Sequence, residues 1–197
     1  TSGFPTNLMV FALRIRSGRS SPSASFPGGK WPLEGTAAAT ENAARLLDLF
    51  RAQKRPVVHV RHEFPTADAP FFAPNSEGAK VHPSVQEIAG EAVIVKQQIN
   101  AFRDTELKKT LDDLAVDKLV ICGAMSHMCI DAVTRAANDL GYQCTVAHDA
   151  CATLELEFNG VTVSASQAHA AFMSALAFAY ASVVSTTELL ASLKTGA

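Results

Sequence analysis

GAMSHMCIDAVTRAANDLGY, residues 123–142, places Cys129 where an apolar run ends and helical spacing begins. Upstream lies KLVICG (118–123), β-branched and apolar, which reads as a buried strand. Downstream, Ile130, Val133, Ala137 and Leu140 recur at helical intervals, and Gly141 stands where a helix would stop. Two roles for Cys129 compete. Free cysteine is among the residues most often buried in cores. At a strand-to-helix junction, however, unpaired backbone N–H groups and the helix dipole favour an anion. The same N–H groups can hold an oxyanion if a thiolate attacks a carbonyl.

The flanking sequence repeats this texture. PVVHV (56–60), AVIVK (92–96) and QCTVAH (143–148) read as strands, and NLMVFAL (7–13) as a buried one. Residues 36–53, 103–115 and 164–180 carry helical patterns between them. The last is alanine-rich and apolar on most sides, which predicts burial against the sheet or a neighbouring subunit. Strands alternating with helices argue for a parallel sheet covered on both faces. Ligands then bind at the carboxyl ends of the strands. Lys96 closes AVIVK on the edge that leads to Cys129, so the pair is more informative than a lone lysine, which often marks only a surface charge.

The bulk numbers remove other classes. A chain of 197 residues, 48% hydrophobic, fits one domain over 1–197 with a substantial core. A net charge of −2 gives no footprint for nucleic acid or a membrane surface, and no apolar run is long enough to span a bilayer. The four cysteines show no CxxC pairing, so reduced thiols in a cytoplasm are expected. Cys122 and Cys144 belong to strands; Cys151 follows the 143–148 strand, with core packing favoured. Six histidines form no HExxH or tight cluster, which disfavours a metal site. No GxGxxG follows a strand, which disfavours flavin and nicotinamide chemistry. His127, two residues before Cys129, is a candidate substrate contact or perturber of the thiol. Phe72, in APFFAP, is a candidate pocket wall.

Residues 123–142 also resemble the cysteine motif of the isochorismatase-like cysteine hydrolases, G-x-x-T-x-x-C before a helix ending in Gly-Tyr. FPGGKWPLEGT, VVHVRHEF, VIVKQQINAFRDTELKKTLDDL and HDACAT extend the similarity in order across roughly residues 26 to 190. The resemblance implies a six-stranded parallel sheet in a three-layer α/β/α sandwich. It also implies an Asp–Lys–Cys set that hydrolyses C–N bonds of small amides through a thioester, without a cofactor. Cys129 matches the nucleophile and Lys96 the catalytic lysine. The resemblance further implies a cis peptide between Ala124 and Met125, with the N–H groups of Met125 and Cys129 facing the developing oxyanion. Ser126 takes the usual threonine position. The metal motif of nicotinamidases is missing, because that region reads VRHEFP, and nothing marks a chorismate-like pocket. The expected partners are a small-molecule substrate and further copies of the chain in a homo-oligomer.

One segment departs. The family ends its first strand in a pattern like D-x-Q-x-D, whereas NLMVFALRIR puts Ala12 at the catalytic Asp, Arg14 at the Gln and Arg16 at the second Asp. Without the carboxylate there is no evident base for the thiol proton. The chain is then an inactive member serving as an oligomeric scaffold, or another group such as His127 substitutes, or residues 1–27 differ from the natural sequence. The third reading is favoured, because the Ser/Arg-rich texture of 14–29 coincides with the anomaly. Peptide mass spectrometry of the natural protein is expected to lack any fragment containing LMVFALR; finding it would overturn this reading.

Overall fold

A computed structural model describes residues 33–66 and 81–195, and the backbone of 7–12. Phe72, Arg14 and Arg16 lie outside the described residues. The main sheet contains β1 (Asn7–Ala12), β2 (Val57–His62), β3 (Ala92–Lys96), β4 (Lys118–Ala124), β5 (Gln143–Ala152) and, at its far edge, a later strand described below. Every neighbouring pair is parallel.

From β1 the chain moves outward through α1 (Thr36–Ala52) to β2 and then β3. It then crosses back through α2 (Leu107–Asp113) to β4, on the other side of β1. From there α3 (Asp131–Asp139) leads to β5, and a hairpin of β6 (Leu156–Phe158) and β7 (Val161–Val163) leads to α4 (Ala165–Ala179). Strand β8 (Ser182–Val184) completes the order β3-β2-β1-β4-β5-β8, and α5 (Thr186–Thr195) ends the chain. Right-handed crossovers in opposite directions place α1 on one face and α3 and α4 on the other. Helix α5 packs on α1, and α3 on α4. The direction of winding therefore reverses between β1 and β4, the place where ligands bind in such sheets, at the carboxyl ends of the strands.

Burial follows the residue pattern. Leu119, Val120, Ile121 and Cys122 of β4 are all nearly inaccessible, as a central parallel strand covered on both faces requires. Helix α1 buries Ala39, Ala43, Leu46, Leu47 and Phe50, a stripe at helical spacing, each large side chain contributing about 1.5–3 kcal/mol. At the end of α3, the Tyr142 N–H reaches the Ala137 carbonyl at 3.0 Å and the Gly141 N–H reaches Asn138 at 2.9 Å. Gly141, at φ 94°, permits this reversal. The reversal turns Leu140 outward, 47% exposed, although it follows the helical spacing; Tyr142 takes the inward place.

Other boundaries also shift. Helix α2 is shorter than its 103–115 pattern because the Thr105 hydroxyl accepts from the Leu107 N–H at 3.2 Å and starts the helix late. Strand β5 runs on past His148, so Cys151 lies inside it and is buried rather than following it. Its pairing jumps from Ile121 opposite Val146 to Gly123 opposite Cys151, leaving a bulge on β5. Asp149 in this bulge accepts from the Thr186 N–H at 2.7 Å and hydroxyl at 2.6 Å, and its carbonyl accepts from Asn42 at 3.0 Å. The bulge is thus tied to α1 and α5.

Helix α4 opens with a capping box formed by Ser164 and Gln167. It buries Ala165, Ala168, Met173 and Leu176, but Ala171, Ala175 and Phe178 on another face are exposed. Packing within the chain therefore covers one face of the helix. Toward the other edge of the sheet, Glu91 links Arg51 and His59 at 2.8 Å each. Burial alone would raise the Glu91 carboxyl, but the bonds from Arg51, the Ile88 N–H and His59 outweigh it and hold it at about 2. Among the described residues, no helix is long and apolar enough to cross a membrane.

Candidate active site

Two strand pairs end side by side. Ala12 pairs with Gly123 across β1 and β4, and His62 pairs with Lys96 across β2 and β3. Beyond β4 the Ala124–Met125 peptide bond is cis, where the resemblance implies one. Residues Ser126–Ile130 then form a π-helical turn, the Ile130 N–H reaching back to the Met125 carbonyl at 3.2 Å. Cys129 therefore belongs to this wider turn and not to the first turn of α3, which begins at Asp131. Turns of this kind are frequent at functional sites. Spacing could not reveal it, because the apolar stripe from Ile130 onward is unchanged by an extra residue before it.

Lys96 is 2% exposed, so it is not a surface charge. Its Nζ lies 3.2 Å from the Cys129 Sγ. It also lies 3.0 Å from the His62 Nδ1, 2.7 Å from the Gln98 carbonyl and 3.0 Å from the Ile99 carbonyl. An ammonium taken out of water costs several kcal/mol unless its protons find acceptors, and these four groups supply them. The two residues selected from separate strand ends in the sequence are thus in direct contact.

The turn itself is held from β5 and α4. The buried Ser126 hydroxyl lies 3.3 Å from the Ala152 carbonyl and 2.8 Å from the His169 Nδ1. His127 turns its Nδ1 to the Thr153 hydroxyl at 2.5 Å, and its ring meets Phe172 edge-on at 6.0 Å between centroids. Burial holds the His127 imidazole below the usual histidine range. Burial does the same to His169, with the nearby His148 adding to it. Both rings therefore favour the neutral form at pH 7.

His62, Thr153, His169 and Phe172 were not singled out for the site from the sequence. For His62 a signal existed: it ends β2 as Lys96 ends β3, and parallel pairing sets the two side by side. Thr153 and His169 come from the β5 bulge and the α4 packing, which no local pattern announces. Among the described residues, no group of three or more His, Cys, Asp or Glu is placed to hold a metal ion.

A buried lysine beside a cysteine at the ends of a doubly wound sheet agrees with the sequence match. Residues 23–188 match the isochorismatase domain. The chain belongs to the isochorismatase family. The isochorismatase family protein YddQ of Bacillus subtilis is 46% identical over 165 residues, covering 84% of this chain and 92% of that one. A crystal structure from Oleispira antarctica, provisionally assigned as an isochorismatase hydrolase, is 61% identical with a TM-score of 0.86, covering 97% of this chain and 98% of that one. The streptothricin hydrolase of Streptomyces noursei is 35% identical over 127 residues, covering 61% of this chain and 45% of that protein. The family match begins beyond β1.

The other cysteines are chemically quiet. Burial, with Cys151 nearby adding to it, raises the Cys122 thiol well above the usual value. Burial pushes Cys144 up to about 12 and does the same to Cys151. Iodoacetamide at pH 7.5 is therefore expected to label native protein at Cys129 alone, with the other three reacting only after unfolding. Peptide mapping reads this, and comparable labelling of Cys122 in folded protein would contradict it.

Proposed function

We propose that the chain is a cysteine hydrolase that cleaves the C–N bond of a small amide through a thioester on Cys129. The observation that carries this reading is the 3.2 Å contact between the buried Lys96 Nζ and the Cys129 Sγ. An ammonium at that distance stabilises a thiolate, the form that attacks carbonyls. The N–H groups of Met125 and Cys129 are the proposed oxyanion donors. His127, held by Thr153, and Phe72 are the proposed substrate contacts. A relative carrying the name streptothricin hydrolase is in keeping with amide-type substrates.

The proton balance turns on position 12. The thiolate adds to the carbonyl, and collapse of the tetrahedral intermediate breaks the C–N bond as the amine leaves with one proton. Water then adds to the thioester and gives up a proton, releasing the acid and restoring the thiolate. A carboxylate ending β1 would carry that proton; Ala12 has no group to do so, which leaves it to Lys96 in this chain. The same alanine favours a second reading, a catalytically impaired member acting as an oligomeric scaffold. The start of the family match at residue 23, beyond β1, is in keeping with an anomaly at the first strand.

Cys129→Ala is expected to abolish turnover on an amide panel, and undiminished turnover would refute the nucleophile. Ala12→Asp is expected to raise kcat by roughly 10²–10⁴, the usual worth of a placed acid–base group. A folded Ala12→Asp protein with no turnover would favour the scaffold. We also propose that a second copy covers Ala171, Ala175 and Phe178 of α4, the last 91% exposed. Light scattering should then report a dimer or larger, and a monomer at every concentration would remove this assignment.

A further inference from the structure

We infer that His62 is a positioning residue that aims the Lys96 ammonium at the Cys129 sulfur. The inference rests on Cys129 being the nucleophile but not on which residue stands at 12. A lysine ammonium has three protons and no lone pair, so every neighbour within reach must accept. Two acceptors are backbone carbonyls, Gln98 at 2.7 Å and Ile99 at 3.0 Å. They follow Lys96 by two and three residues, and residues of many types could present them. The third, the His62 Nδ1 at 3.0 Å, comes from a different strand and depends on the side chain.

His62 is 7% exposed and stands level with Lys96 in the β2–β3 register. Its ring meets Phe64, centroids 4.7 Å apart, which restricts its rotation. To accept through Nδ1 the ring must carry its proton on Nε2. That tautomer pairs with a charged Lys96 and fixes one edge of the ammonium. The two carbonyls fix another, and the remaining direction points to the Cys129 Sγ at 3.2 Å. Without the ring nitrogen the ammonium loses a charge-assisted bond and is free to settle on the carbonyls, away from sulfur.

The test uses the rate of Cys129 alkylation by iodoacetamide at pH 7, which needs no substrate. His62→Leu removes the acceptor and is expected to slow alkylation roughly ten- to hundredfold, the worth of a hydrogen bond to a charged group. His62→Asn keeps an acceptor near the Nδ1 position and is expected to recover most of the rate. His62→Gln, whose acceptor sits farther out, is expected to stay slow. A purely structural role would move Asn and Gln alike, so equal rates in those two folded variants overturn the inference. Wild-type rates in His62→Leu also overturn it. Should Cys129→Ala retain turnover, the hydrolase reading fails by itself; altered alkylation in the His62 series would still establish the coupling to the thiol.

Discussion

Everything around the site answers to one constraint: a lysine side chain is held out of water at the end of β3. A buried ammonium without acceptors would shed its proton or destabilise the fold by several kcal/mol. Three elements prevent this. The parallel register of β2 against β3 brings up His62. The chain beyond Lys96 folds back so that the Gln98 and Ile99 carbonyls face Nζ, a loop shaped by Asn100, whose side chain accepts from the Phe102 N–H at 3.0 Å. The π turn after β4 supplies sulfur. The same tripod that stabilises the charge also decides where it points.

The sulfur needs equal restraint, and the irregular end of β5 provides it. An unbroken register would end β5 several residues earlier relative to β4. The bulge moves Cys151, Ala152 and Thr153 beside the end of β4, where Ala152 faces the Ser126 hydroxyl and Thr153 meets His127. Asp149, inside the bulge, is anchored to α5, and His169 of α4 reaches Ser126 from another side. A deviation from ideal pairing thus fixes the turn that carries Cys129, the usual role of bulges near sites.

This explains which parts were legible in the sequence. Central strands buried on both faces announce themselves as β-branched runs, and β4 and β3 were found with their functional ends, Cys129 and Lys96. Capping chemistry is local too. Asn159 and Gly160, both at positive φ, form the β6–β7 hairpin turn, and Asn-Gly is the strongest short hairpin signal. Features set by pairing across the sheet were not legible. The short strand β8 owes its existence to an open edge on β5. His62 gains meaning only through its register with Lys96. Helical periodicity likewise does not show that the closing turn faces Leu140 outward.

Position 12 remains the point at which sequence and site pull in opposite directions, and energetics favours one side. For a scaffold, a buried Lys96 beside a thiol is a liability, because apolar replacements of buried charges are often neutral or stabilising by 1–4 kcal/mol. Nothing in the packing of α1, α3 or α4 requires that charge. Among its described contacts is the sulfur of Cys129. Stability spent on an ammonium aimed at a nucleophile makes sense where charge develops during a reaction. The missing acid at Ala12 removes one component from this arrangement, while the more costly component is still in place.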